Sequence, residues 1–312
     1  MRKTHRPLFV TIFLLILGLL VGLSTWTYAA DTQQTFDSPG AAVDALVTAT
    51  EAGDMKTLRS ILGSDAEPIL SSGDPVADQN ARDNFAAKYR EMHRRTYDAQ
   101  GRVILYVGAE NWPLPIPVVK KDNAWLFDTS AGAAELVYRR IGQNELHTIG
   151  VLNELTRAQR EYASEERGGG STKQFARKIL SDPRIHNGLY WTVAEGEPVS
   201  PIGPLVANAT AEGYKRVTDG NRVPFHGYYY RILTQQGVHA PGGARNYLVN
   251  GEMTRGFAFL AYPAEYRSSG VMTFMINQDG VIVQKDLGAK TTQVATAMTK
   301  FNPDRTWDQV IE

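Results

Sequence analysis

The chain has 312 residues, of which 43% are apolar, 21% charged and 10% aromatic. This is an ordinary globular composition, and it argues against wholesale disorder, collagen-like repeats and a polytopic membrane protein. The 33 basic and 33 acidic side chains give no overall field for nucleic acid, and the absence of cysteine excludes disulfides, thiolate metal sites and iron–sulfur clusters.

The first 30 residues have the layout of a secretory signal peptide. Three basic residues near the start precede an apolar run over residues 8–23, and small residues at Ala29 and Ala30 offer a cleavage site. We expect a periplasmic or secreted protein, cleaved near one of these alanines. The alternative is an uncleaved anchor, which would be the one membrane contact, although a run of 16 residues is shorter than the about 20 that span a bilayer.

Residues 31–134 are predicted to form an α+β unit that starts with three helices. Ser38 and Asp54 are the expected caps of the first two helices, and helical spacing of apolar side chains predicts a third from about 78 to 95. A small antiparallel sheet is expected next, from β-rich runs at 103–107, 112–119 and 125–128.

Three alternating prolines interrupt the middle run, so it is placed at a sheet edge. This order of elements resembles the N-terminal part of cystatin-like and nuclear-transport-factor-like domains.

The middle of the chain is expected to connect this unit to a second one. Residues 135–180 are predicted as connecting helices: a long amphipathic helix to about 167, a glycine hinge at 168–170 and a short helix at 175–180. Residues 181–213, rich in glycine and proline, are predicted as a long surface loop or linker.

Residues 214–312 are predicted to form an antiparallel sheet of four to five strands with a terminal helix. Strand-like runs occur at 228–233, 247–249, 257–262, 271–276 and 281–283. Asp279 and Gly280 between the last two runs are typical of a hairpin turn.

Several phrases spread along the chain resemble those of an uncharacterised bacterial family, Domain of Unknown Function 2950. They lie at 71–76, 140–146, 188–191, 200–205, 225–233 and 270–274. The resemblance implies an exported protein and brings no assigned catalytic residues. The C-terminal sheet is also similar to the globular domains of pilin-like proteins. Residues 1–30 contain no acidic residue, whereas pilin-like subunits keep a processing glutamate there, so pilus assembly is not expected.

The sequence contains no recognisable catalytic or metal-binding motif. A nucleophile elbow, a zinc-protease helix and a phosphate-binding loop are all missing, and the histidines share no metal-ligand spacing. We therefore predict neither a cofactor nor a metal. His226, where a loop enters the first strand of the C-terminal sheet, is the one weak catalytic candidate; the other interpretation is a residue that caps the strand.

The C-terminal half is rich in aromatic side chains, which favours a binding function. Alternation along 228–231 puts one set of side chains into the core and offers the other for recognition. The leading hypothesis is a non-enzymatic envelope protein that binds a partner protein or an envelope polymer. The candidate binding residues are Tyr190, Trp191, His226, Tyr228, Tyr230 and Arg231.

Two alternative functions are kept. One is a metal-independent periplasmic hydrolase with His226 as the base and a carboxylate such as Glu265 or Asp279 beside it. The other is a small apolar ligand held in the N-terminal unit. The aromatic side chains that motivate the second are Phe85, Tyr89, Trp112 and Trp125.

Overall fold

The computed structural model describes residues 33–166, 173–193, 196, 199–215 and 223–311. The predicted signal peptide and glycine hinge lie outside the described residues. The predicted fold class is confirmed: N-terminal helices and a small antiparallel sheet precede a long helix and a C-terminal antiparallel sheet of five strands. Each sheet has its own hydrophobic core.

Two of the three predicted N-terminal helices begin at their predicted caps, Ser38 and Asp54, whereas the third begins at Pro75, earlier than predicted, and a short helix at 67–70 was not predicted. The helices are α1 (Pro39–Glu51), α2 (Met55–Leu62), α3 (Glu67–Leu70) and α4 (Pro75–Glu91). Ser38, Asp54 and Asp74 cap α1, α2 and α4 by accepting hydrogen bonds from main-chain N–H groups of the first turn, which a helix cannot satisfy internally.

The N-terminal sheet differs from the prediction in two places. Its strands are β1 (His93–Tyr97), β2 (Val103–Val107), β3 (Trp112–Pro113), β4 (Val118–Lys121) and β5 (Ala124–Phe127). The third predicted helix ends early because residues 93–97 pair with β2. The proline-rich run forms two strands that both pair with β2. Among the described residues β3 has no other neighbour and is at an edge, as predicted, whereas β4 lies between β2 and β5. The three prolines therefore interrupt the run, which forms two short strands instead of one.

The long helix α5 (Thr129–Tyr162) connects the two cores. Its half-buried Leu136 packs on the N-terminal core, while Val151, Leu152 and Leu155 lie in the C-terminal core. The sequence predicts a buried apolar stripe on this helix at residues 146, 149, 152, 155, 158 and 162. The prediction is wrong at Leu146, which is 71% exposed. Each step of three residues turns about 300° around the helix, about 60° less than a full turn. Over several such steps the pattern rotates around the helix, so Leu146 lies on the face opposite the buried residues. Among the described residues, no helix combines the length and apolar character needed to cross a membrane.

The segment that follows α5 contains more regular structure than predicted. It forms β6 (Lys178–Leu180), β7 (Gly188–Tyr190) and α6 (Gly203–Ala211). The short helix predicted at 175–180 is wrong, because β6 pairs in parallel with β7. Residues 181–213 are likewise not a plain loop; Pro204 opens α6, where a residue without an N–H is tolerated.

The C-terminal sheet has the order β16-β15-β14-β13-β8. The strands are β8 (Tyr228–Leu233), β9 (Gln235–Gln236), β10 (Arg245–Asn246), β11 (Leu248–Val249), β12 (Glu252–Met253), β13 (Ala258–Pro263), β14 (Met272–Asn277), β15 (Ile282–Asp286) and β16 (Asp308–Gln309). The hairpin predicted around Asp279 is confirmed, with Ile276 opposite Ile282. The terminal helix is α7 (Thr291–Ala297).

Polar side chains of α5 form hydrogen bonds with main-chain groups that lie outside this helix. Glu145 Oε1 accepts hydrogen bonds from the N–H groups of Val271 and Met272, both at 2.9 Å. Further along, Gln159 donates to the Ala176 carbonyl and accepts from its N–H, both at 2.8 Å. These contacts fix the long helix against two separate segments.

We predict that two glycines of α5 respond oppositely to alanine. A Cβ at Gly132 would overlap the carbonyl oxygen of Pro115, whereas one at Gly142 meets nothing within 4 Å. Gly132→Ala should lower the free energy of unfolding by about 1–3 kcal/mol through overpacking. Gly142→Ala should raise it by up to about 1 kcal/mol through helix propensity. Urea unfolding followed by circular dichroism measures both, and equal effects would contradict the close approach.

Candidate functional site

A cleft of about 770 Å³ opens between α4, α5 and three further residues, Glu212, Tyr214 and His226. Its floor, meaning the apolar part of the lining, comes from the N-terminal unit and the first part of α5. The apolar lining includes Leu46, Leu58, Leu62, Ile69, Leu70, Phe85, Val107, Trp112, Leu114, Ile116 and Leu136. Its volume falls within the about 300–1,000 Å³ typical of small-molecule sites.

The mouth of the cleft is polar. Helix α4 contributes Asp78 and Arg82, and α5 contributes Arg140, Gln143, Asn144 and His147; Glu212, Tyr214 and His226 close the other side. Polar groups that converge at the edge of an apolar cavity are typical of sites that orient a ligand.

One buried carboxylate, Asp74, holds the wall that closes the cleft. Its Oδ1 accepts from the N–H groups of Val76 and Ala77 at the start of α4. Its Oδ2 accepts from the Tyr214 hydroxyl and from the Gly227 N–H, both at 2.9 Å. Asp74 is fully buried, so these four donors replace the water that its oxygens lose on folding.

Tyr214 links this carboxylate to His226. Burial, followed by the nearby Asp74 charge, raises the pKa of Tyr214, so its hydroxyl stays protonated and donates to Asp74. The same oxygen accepts a hydrogen bond of 3.1 Å from the His226 main-chain N–H. The chain at His226 has a φ of +49° and at Gly227 of +75°, a tight reversal that turns the imidazole toward the cleft.

The imidazole of His226 is close to a carboxylate and to a second histidine. Its Nε2 lies 3.1 Å from Glu212 Oε2, and its ring centroid lies 4.5 Å from that of His147. Glu212 Oε2 is buried and has no hydrogen-bond donor among the described residues, so the two groups are near each other without the alignment of a hydrogen bond. Burial, reinforced by His147 and opposed by Glu212 and Asp74, lowers the pKa of His226.

Within the described part of the chain, this cleft takes in His226 alone of the six candidate binding residues. Trp191 and Tyr228 are 4% and 0% exposed and belong to the C-terminal core. The half-buried Tyr230 donates a hydrogen bond of 3.3 Å to the Thr148 hydroxyl. Arg231 donates to the main-chain carbonyls of Ala295 and Thr296 in the last turn of α7.

Tyr190, in β7, is also half-buried and packs against the same core. Binding through this aromatic set stays a prediction.

The residues behind the two alternative functions are also divided. Phe85 and Trp112 line the cleft, whereas Tyr89 stacks on His93 and Trp125 lies in β5. Among the described residues, the carboxylate paired with His226 is that of Glu212, and neither suggested carboxylate forms an ion pair with the ring. Asp279 accepts from Asn277 in its hairpin, and Glu265 lies in the turn that Ser269 closes.

Sequence reasoning missed Asp74, Glu212 and Tyr214. Asp74 could have been found, because a helix-capping aspartate followed by proline is a local pattern. The contacts from Asp74 to Tyr214 and Gly227 span 140 and 153 residues, and no local spacing predicts them.

Comparison with known proteins identifies a family. The family model described as "Protein of unknown function (DUF2950)" matches residues 33–310, so the chain belongs to this family. No curated protein and no solved structure matches the chain.

We predict that Asp74→Ala is much more damaging than Asp54→Ala. Both residues cap a helix through two main-chain N–H groups, but Asp54 is exposed. Loss of an exposed cap should cost about 1 kcal/mol. Loss of Asp74 also leaves the Tyr214 hydroxyl and the Gly227 N–H buried without an acceptor, and should cost about 3 kcal/mol or more. Thermal and urea unfolding of both variants test this, and equal losses would contradict the role of Asp74.

Proposed function

We propose that this chain is an exported binding protein that holds a small, mainly apolar molecule in the cleft. The observation that carries the proposal is the cleft itself, with its apolar floor and polar mouth. Export rests on the expected signal peptide, as stated from the sequence.

The apolar floor supports binding because part of it faces the cavity. Ile69, Leu70, Phe85, Trp112 and Leu136 line the cleft and are half-buried, so an occupant would remove more of their surface from water. Each square ångström of apolar surface removed contributes about 25 cal/mol. This favours the cleft over the C-terminal aromatic set, whose largest members already lie in the core.

We predict that filling the cleft blocks binding. Ala81 and Ala87 are exposed alanines on α4, and Ala81 lines the cleft whereas Ala87 does not. With the fluorescent probe N-phenyl-1-naphthylamine, Ala81→Trp should weaken binding by at least about tenfold, because an indole occupies the apolar volume that the probe needs. Ala87→Trp should bind the probe as the wild type does. Fluorescence titration measures both, and equal affinities would place the site elsewhere.

A second candidate function, hydrolysis with His226 as the base, is favoured by one observation. The His226 ring is in the cleft wall with Glu212 Oε2 3.1 Å from Nε2, which leaves Nδ1 to accept a proton. Its lowered pKa favours the neutral, basic form at neutral pH. For an ester, Nδ1 would take a proton from water while the water oxygen adds to the carbonyl carbon. The alcohol then leaves with that proton as the C–O bond breaks.

This second function predicts a histidine-dependent esterase activity. His226→Asn should reduce hydrolysis of 4-nitrophenyl butyrate by about 100-fold, the usual scale for loss of a general base. Asparagine tolerates the positive φ at this position, so the fold is retained. The rate should fall with decreasing pH, because protonation removes the basic form of the imidazole. Since the pKa of His226 is lowered, this fall should occur at a lower pH than for an ordinary histidine. His93→Asn, an exposed site outside the cleft, is the control. A wild type no faster than His226→Asn would rule the activity out.

A further inference from the structure

We infer that the molecule bound in the cleft is an amphiphile with one carboxylate, and that Arg82 receives this carboxylate at the mouth. The inference rests on the proposed function. It goes further by naming the chemical class of the ligand and the residue that selects it.

The other long basic side chains that line the cleft already have partners. Lys88 pairs with Glu110 at 3.2 Å, and Arg139 pairs with Glu135 at 2.8 Å. Arg140 donates to the Pro68 carbonyl at 2.6 Å and to the Ser268 carbonyl at 3.0 Å. Arg140 thus joins separate parts of the fold, and the other two cations already face a carboxylate, so all three are poorer candidates for ligand recognition than a cation without a charged partner.

Arg82 is different because, within the described part of the chain, its guanidinium has one hydrogen bond. Its Nη2 donates to Gln79 Oε1 at 2.9 Å, and its Nε is buried with no hydrogen-bond partner. Asp78, one turn earlier on α4, accepts from the Ser72 N–H and does not pair with Arg82 among the described residues. A guanidinium has five N–H donors in a planar fork that fits a carboxylate.

The surroundings limit the charge of the ligand. Asp78 and Glu212 also line the cleft, so two negative charges face the same space as Arg82. One anionic group can pair with the guanidinium of Arg82. A second negative charge would find the other cations of the lining already partnered, and would be repelled by these two carboxylates. The apolar floor requires an apolar body behind the head group. Together these features select a monocarboxylate with an aliphatic or aromatic body.

The experiment compares three twelve-carbon compounds as competitors of N-phenyl-1-naphthylamine at pH 7.5. Dodecanoate carries the predicted head group, dodecan-1-ol is neutral, and dodecyl phosphate carries up to two charges. We expect dodecanoate to bind at least about tenfold more tightly than the alcohol, which corresponds to about 1.4 kcal/mol. Dodecyl phosphate should bind more weakly than dodecanoate.

Variants of two arginines on α4 assign the preference to Arg82. Arg82→Gln should weaken dodecanoate binding by about tenfold and leave dodecan-1-ol within about twofold, since charged hydrogen bonds contribute more than 1 kcal/mol each. Arg90→Gln is the matched control: Arg90 is exposed, pairs with Glu51 and lies outside the cleft. Unfolding temperatures verify that each variant is folded.

The outcomes separate this inference from the proposed function. Equal binding of dodecanoate and dodecan-1-ol, or no effect of Arg82→Gln on dodecanoate, would overturn the inference while the cleft still binds. Tighter binding of dodecyl phosphate would overturn the carboxylate in favour of a phosphate head group. Failure of the probe and all three compounds to bind the wild type would overturn both proposals.

Discussion

The arrangement of the whole molecule depends on the burial of one charge. Asp74 has no contact with water, and its carboxylate is acceptable there only because four donors from three segments meet it. Two of these donors belong to its own helix, and the other two come from residues more than a hundred positions later. The start of α4 and the entry to β8 are thereby tied to a single point.

The cleft is a consequence of this tie. Its floor belongs to the N-terminal unit and the first part of α5, while Glu212 and Tyr214 follow α6 and His226 precedes β8. Helix α5 also holds the two units together at the cleft, since its polar side chains bind main-chain groups of the C-terminal unit. Three of these side chains, Arg140, Asn144 and Glu145, lie in the stretch 140–146 that resembles the family. This stretch therefore has a structural role: it joins α5 to the C-terminal unit. The site is therefore composite, and neither unit contains it alone.

The sequence predicts the elements better than it predicts their meeting points. Caps such as Ser38 and Asp54 act within three residues, and the Asp279 hairpin is equally local; all were identified. Segments whose partners are distant were mistaken, as with 175–180, where Phe175 donates to Met253. Leu146 shows a second limit, because a stripe read in steps of three rotates around the helix. The candidate site fell mostly in the unpredictable part: His226, Phe85 and Trp112 were named, but Arg82, Glu212 and Tyr214 acquire their setting only through long-range packing.

The reversal at His226 and Gly227 carries a consequence for natural variation. Gly227 has a φ of +75°, and a Cβ there would lie 2.6 Å from Asn144 Nδ2 and 2.9 Å from Ser269 Cβ. Any larger residue would therefore require either Asn144 of α5 or the turn at Ser269 to move. A related chain that keeps the histidine but replaces this glycine would keep the imidazole in its sequence without the same backbone reversal. The glycine is thus the more informative of the two positions when distant members of the family are sorted by shared function.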